Sequence, residues 1–271
     1  MRHVESMGLS SLWVVTMFHF LPALVMLPMI FSITNASRED WARASIAGLL
    51  VGAGFVFYAL GLIVSSVTKT VVLFYMTPIW STIFAYFVIN ERVGLARWFA
   101  IFGGISGCAL VMDLNGQTIQ LNAADLLGLF SGIFWALGSV VVRRFNKINF
   151  LHVTFLQYLF GGFMVIGAVL YIGDPTPTLD AFLRAAPIAF LTSALIFLPT
   201  ALLVFRIMQY VSPGLVGILM LSEALIAALS AAIWLEETLS QSQWLGVITI
   251  LTTGVLIGFH ESKGKNTTKG V

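Results

Sequence analysis

The sequence predicts an all-α integral membrane protein, an inverted-repeat helical bundle with nine spans. Three observations point there: an apolar composition, apolar runs of bilayer length from end to end, and one short charged stretch written twice. The chain of 271 residues is 59% hydrophobic and 10% charged, whereas a soluble domain carries roughly a quarter charged residues. A helix that crosses a bilayer needs about 20 consecutive apolar residues. Nine such runs can be drawn, at 10–32, 43–63, 67–89, 95–112, 124–143, 151–172, 184–207, 211–234 and 241–259. Transmembrane strands are about ten residues long and alternate in polarity, and these runs do neither.

Taken in order, each run has a distinguishing feature. The first is longer than the roughly 7–15 apolar residues of a cleaved leader, and no small-residue cleavage site follows it, so it reads as a span. His19 lies midway along it. Gly48/Gly52 in the second run, Gly103/Gly107 in the fourth and Gly128/Gly132 in the fifth are each spaced by four; such faces let helices approach closely and read as packing surfaces. The third run contains Pro78, which lacks a donor and frees a carbonyl within the span. Two polar stripes flank it, Tyr75, Ile79, Thr82 and Tyr86 on one face and Thr70, Thr77 and Ser81 on another. Cys108 is the only cysteine, which leaves no disulfide and no thiolate metal cluster. Trp135 is central in the fifth run, and Gln157 stands beside Tyr158 in the sixth. Arg206 lies near the end of the seventh, where a long cationic side chain snorkels. Glu223 sits in the middle of the eighth, at a depth where an acid is costly and faces a cavity or a partner.

Lys and Arg accumulate at cytoplasmic helix ends. Assigning alternate loops to alternate sides puts 11 of them on one side (Arg38, Arg43, Arg92, Arg97, Arg143, Arg144, Lys147, Arg206, Lys263, Lys265, Lys269) and 3 on the other (Arg2, Lys69, Arg184). The C-terminus is thereby expected in the cytoplasm. Sliding the chain against itself by 146 residues lays Glu91 on Glu237, Val93 on Leu239, Trp98 on Trp244 and Ser66 on Ser212. The segment 45–112 thus resembles 191–258, yet the charge count puts Glu91 and Glu237 on opposite sides. Two inverted copies related by an axis in the membrane plane satisfy both facts. The run 124–143 then has no counterpart, because its partner would precede Met1; restoring that helix makes ten, with both termini cytoplasmic.

Three stretches carry a family resemblance. "TPIWSTIFAYFVINERV" (77–93) and "SEALIAALSAAIWLEETL" (222–239) look like the two signatures of EamA-type transporters of the drug/metabolite transporter superfamily, and "GLFSGIFWALGSVVVRR" (128–144) is similar to the opening helix of each half. Two departures stand out: the first helix is absent, and Ala224 occupies the place of the proline usual after the second acid, although Pro78 is present in the first half. The resemblance implies a first repeat at 1–115 with four helices, a second at 122–260 with five and a polar cytoplasmic tail at 261–271. It also implies a central cavity and secondary transport of small metabolites, such as amino acids or related compounds, by alternating access and often outward.

The substrate-binding candidates are Glu223, its repeat-mate Thr77, Tyr75, His19, Gln157, Tyr158 and Trp135. Expected partners are a small-molecule substrate, protons, the lipid bilayer of a bacterial inner membrane and a second copy in a homodimer; nucleic acid, cofactors and metals are not expected. An intramembrane enzyme needs a nucleophile with a base or a clustered metal site, yet the sequence has neither H-E-x-x-H nor G-x-S-x-G, and its four histidines are dispersed. A truncated, non-transporting relic is the other alternative.

The charge split predicts that reporter fusions after residues 118 and 178 read outside, while fusions after 147 and 265 read cytoplasmic. A cytoplasmic reporter at 118 together with an external one at 147 overturns the topology and the inversion with it.

Overall fold

A computed structural model describes residues 8–32, 36–65, 67–112, 122–224, 226, 229 and 240–267. The helices are α1 (Ser11–Ser32), α2 (Arg38–Val64), α3 (Val67–Phe74), α4 (Thr77–Ile89), α5 (Leu95–Val111), α6 (Leu126–Arg144), α7 (Phe150–Ile172), α8 (Leu179–Thr192), α9 (Leu198–Met208), α10 (Pro213–Met220) and α11 (Gln241–Thr267), and the described residues include no strand. Six stretches are long and apolar enough to cross a bilayer: Ser11–Ser32, Arg38–Val64, Lys69–Ile89, Ala123–Arg144, Phe150–Ile172 and Leu179–Met208. Leu95–Val111, Pro213–Ala224 and Gln241–Ile257 are shorter apolar helices. Nine runs were expected to span; among the described residues six are full-length helices and three are shorter. Residues 230–239, with Glu237 and Leu239, lie outside the described residues, as do Arg2, Ser66, 113–121 and Lys269.

Helix ends follow local chemistry. Ser37 accepts from the Asp40 amide while the Asp40 carboxylate accepts from the Ser37 amide, a capping box that opens α2. Asn149 and Thr178 cap α7 and α8 by accepting from the Leu151 and Ala181 amides, each satisfying an amide that has no intrahelical partner. Asn90 ends α4 at φ 53, a left-handed turn that Asn tolerates. Inside the spans proline makes the breaks. Pro78 has no N–H to give to the Phe74 carbonyl, and the Thr77 hydroxyl donates there instead. Pro199 likewise follows a π-turn at Ser193–Phe197 between α8 and α9, where wider winding re-pairs the carbonyls that proline leaves without donors.

Helix α2 is the hub, packing most extensively against α6 and α7; α1 leans on α7, α4 on α6, and α5 on α11. Close approach is built from glycine. A Cβ on Gly52 would lie 2.8 Å from the Gln157 carbonyl oxygen, and one on Gly54 would lie 2.9 Å from the Trp135 amide. At the far contact a Cβ on Gly246 would lie 2.6 Å from the Gly107 oxygen. Large apolar side chains such as Phe31, Phe87, Phe99 and Leu170 point outward, as lipid contact requires.

Polar contacts between elements sort the helix ends into two groups. Arg97 bonds Ser212, Arg143 the Gln209 carbonyl, Arg144 the Val88 carbonyl, and Gln209 the Ile148 carbonyl. Elsewhere Lys69 pairs with Asp125, Ser10 with Asp174, and Gln243 with the Val111 carbonyl. Each of these contacts ties neighbouring elements at or near their ends.

The glycine contact on α2 yields a paired prediction. Gly52→Leu lowers the thermal midpoint of the purified protein, reflecting about 1–3 kcal/mol of overpacking, whereas Gly167→Leu, whose Cβ meets nothing within 4 Å, leaves it unchanged. Equal melting of the two variants would contradict the close approach of α2 and α7.

Candidate functional site

The interruption between α3 and α4 places Tyr75 in the interior, 5% exposed, with Phe74 beside it. Their ring centroids are 6.0 Å apart, and Tyr58 of α2 packs on Phe74 at 4.8 Å. Opposite, the turn at Leu221 after α10 leads into helical residues that include Glu223 and Ala224. Leu221 and Ala224 share the buried apolar cluster of Phe74 and Tyr75, and the Cys108 thiol lies 3.9 Å from the Leu221 carbonyl oxygen. Glu223, between them, is exposed, and its carboxylate lies within electrostatic reach of the Tyr58 and Tyr75 phenols. The neighbours of Glu223 thus share a cluster with Tyr75, and Tyr58 packs on its margin. Sequence reasoning missed Tyr58, although a phenol inside the 43–63 run was a signal available to it.

Thr77 is 2% exposed, and its hydroxyl is engaged by the Phe74 carbonyl. It faces α6, since a Cβ on Gly132 would lie 3.0 Å from its hydroxyl. The two polar stripes around Pro78 divide between neighbours. Thr70 and Thr77 abut Gly128 and Gly132 of α6, whereas Thr82 and Pro78 abut Gly214 and Gly217 of α10. Tyr86 points outward at 55% exposure.

A second group forms where α1 meets α7. The His19 Nδ1 lies 2.8 Å from the Val15 carbonyl oxygen; a carbonyl only accepts, so Nδ1 carries the proton and Nε2 is the basic nitrogen. The imidazole sits edge-on to Tyr158, centroids 6.2 Å apart, over the space that Gly161 leaves open. Gln157 is 1% exposed, and its side-chain amide oxygen Oε1 has no hydrogen-bond partner among the described residues. Trp135 on α6 packs edge-on to Phe55 at 4.9 Å and beside Phe205 at 6.4 Å. Trp135, Tyr75 and Tyr158 all belong to one buried cluster.

Ionic ties that sequence reasoning did not anticipate sit at the two ends. Asp125, 1% exposed, accepts from the Ser65 hydroxyl, the Asn122 amide and Lys69 at 3.2 Å. At the other end Arg97 donates to Glu91 and, at 2.9 Å, to Ser212. Glu91 and Arg97 belong to the repeated hinge, whose second copy replaces Arg97 by Gln243. Gln243 closes a capping box with Ser240 and reaches the Val111 carbonyl. Away from all these residues, an apolar surface groove of about 360 Å³ runs between α5 and α11, lined by Ala96, Phe99, Ala100, Thr253, Leu256 and Ile257.

Long apolar helices, spans interrupted at proline and polar side chains gathered in the interior define a multi-pass helical membrane protein. The EamA-like transporter family model matches residues 2–113 and again 122–259, and the chain belongs to that family. It is 26% identical over 129 residues, 46% of this chain and 43% of the relative, to an S-adenosylmethionine uptake transporter of Rickettsia felis. It is 24% identical over 145 residues, 52% of this chain and 48% of the relative, to a riboflavin transporter of Vibrio cholerae. The chain thus spans about half the length of the curated relatives it matches. One solved structure superposes with a TM-score of 0.70 at 14% identity, covering 92% of this chain and 87% of that one, a likeness of fold.

The hinge ion pair gives a contrast to measure. Glu91→Gln destabilises the purified protein by about 1–3 kcal/mol, between the values for exposed and buried pairs, because Arg97 is 12% exposed and Glu91 21%. Asp180→Asn, in a pair where both partners are more than half exposed, changes stability by less than about 0.5 kcal/mol. Equal effects would show that the hinge pair is only a surface contact.

Proposed function

We propose that this protein is a secondary transporter that moves small metabolites across a bacterial inner membrane by alternating access between two inverted repeats, of four and five helices. The observation that carries this reading is the agreement of helix breaks under the 146-residue shift. Val67–Phe74 falls on Pro213–Met220, and the α5 start at Leu95 falls on the α11 start at Gln241. An interruption at the same depth in both halves is where inverted-repeat carriers place their binding sites, and here it holds Tyr75 on one side and Glu223 on the other. The eleven-to-three charge split supports the inversion and a cytoplasmic C-terminus.

The repeat also accounts for an exposed face. Helix α2 is covered by α6, whereas its repeat-mate, the α8–α9 segment, is the least buried of the long spans at 28%. The repeat would set a counterpart of α6 against that face. Units at 1–115 and 122–260, the tail at 261–271 and a homodimer belong to the same reading. The named relatives make S-adenosylmethionine and riboflavin the first substrates to try, with amino acids beside them. Glu223 and His19 are the groups through which a proton gradient would act.

The test is flux in vesicles that hold the purified full chain, with and without an imposed pH gradient. Counterflow of at least one of the three substrate types is expected above protein-free vesicles, and Glu223→Gln, which retains shape but cannot ionise, is expected to remove the response to the gradient. Absence of flux for all three would favour the non-transporting alternative.

A further inference from the structure

The connection between α6 and α7 is clasped by rings. The Arg43 guanidinium of α2 lies 4.9 Å over the Phe145 ring, and that of Arg206 from α9 lies 5.7 Å over Phe150. Between these two contacts Gln209 donates to the Ile148 carbonyl. At the start of α7 the His152 imidazole stacks on the Trp41 indole of α2, with centroids 4.2 Å apart and planes 29° from parallel. His152 is 0% exposed whereas Trp41 is half-buried, so the indole forms the outer layer of the stack. One turn further along α7, a Cβ on Gly48 would lie 2.8 Å from the Leu156 Cβ. The stack therefore closes the end of a tight α2–α7 seam.

Neither ring nitrogen of His152 has a hydrogen-bond partner among the described residues. A neutral imidazole held this way leaves one N–H and one lone pair unmet, whereas an imidazolium would leave two N–H donors and a full charge. The indole face attracts a cation, but it supplies no acceptor. Charged groups on the elements packed against α7 are engaged elsewhere or carry the wrong sign. On α2, Asp40 accepts from Ser37, and Glu39 pairs with Arg43; Arg38 is a further cation. On α6, Arg143 and Arg144 bond the Gln209 and Val88 carbonyls, and Lys147 follows in the joining loop. Helix α9 brings Arg206, and α1 carries no titratable residue except His19. His152 is thus the member of the clasp whose charge changes near neutral pH.

We propose that the Trp41–His152 stack is an acid-released latch, in which the neutral imidazole holds the start of α7 against α2 and protonation lets the α6–α7 end loosen. The closed arrangement shelters a neutral ring, and the loosened one lets water reach both N–H groups, so falling pH favours the loosened state. The latch goes beyond the transport reading and does not require it.

The test is amide hydrogen exchange of the purified full chain in lipid nanodiscs, read at residues 145–156 and corrected for the intrinsic pH dependence of exchange. Between about pH 7.5 and about pH 5.5, where imidazole titrates, protection of this segment is expected to fall about fivefold or more. The α5–α11 contact at Gly107 and Gly246 is expected to keep its protection. His152→Phe, which keeps a stacking ring, and His152→Gln, which keeps hydrogen-bonding capacity, cannot ionise, and both are expected to lose the pH response. Asp40→Asn is expected to retain it. Constant protection in the native chain, a uniform loss over the whole bundle, a response that survives in either His152 variant, or its loss in Asp40→Asn each overturns the latch. Flux plays no part in the measurement, so failure of the latch leaves the transport reading standing.

Discussion

Every backbone donor and acceptor of this chain has to be satisfied without water over the depth of a bilayer, and that constraint organises the rest. It selects helices for the whole length, because an α-helix closes its own hydrogen bonds while an open strand does not. It also makes each interruption expensive, so the two clear ones are repaired locally. At Pro78 the Thr77 hydroxyl takes up the Phe74 carbonyl, and ahead of Pro199 a π-turn rewinds Ser193–Phe197. Broken helices persist in hydrocarbon only when protein surrounds the break, and the first of these breaks delivers Tyr75 and Phe74 to the interior.

With hydrogen bonds closed inside each helix, association depends on packing, since lipid tails are as apolar as leucine. Small residues therefore set the architecture. Gly48, Gly52 and Gly54 let α2 touch the backbones of α7 and α6, and Gly107 with Gly246 joins α5 to α11. The helices so gathered leave a limited number of polar groups inside, and many are engaged or enclosed by neighbours: His19 on Val15, Thr77 on Phe74, Gln157 beneath Gly52. Glu223 is the departure. It stands exposed, with no ion pair among the described residues. The two polar ends, Asp125 with Lys69 and Arg97 with Glu91 and Ser212, tie neighbouring elements where water is at hand.

Much of the fold was legible beforehand because the bilayer simplifies the code. A run of about 20 apolar residues is nearly sufficient to call a helix, and Gly-xxx-Gly spacing named contact faces that the structure uses. The candidate site was less legible. Periodicity around Pro78 offered two polar faces, and the structure spends members of both on packing, Thr77 toward α6 and Thr82 toward α10. His19, Gln157 and Tyr158 do converge, as their places in α1 and α7 allow, while Trp135 sits among Phe55 and Phe205.

By itself the sequence determined the membrane class, the helical runs, the family signatures and the 146-residue correspondence, all of which are properties of residues counted along one dimension. Tertiary structure alone decided which side chain meets which. Tyr58 of α2 comes to pack on Phe74 of α3, and Asp125 finds Lys69 and Ser65 fifty-six and sixty residues away. The physical reason is that a span's hydropathy is an average over its circumference, whereas a site depends on which few degrees of that circumference each neighbouring helix covers.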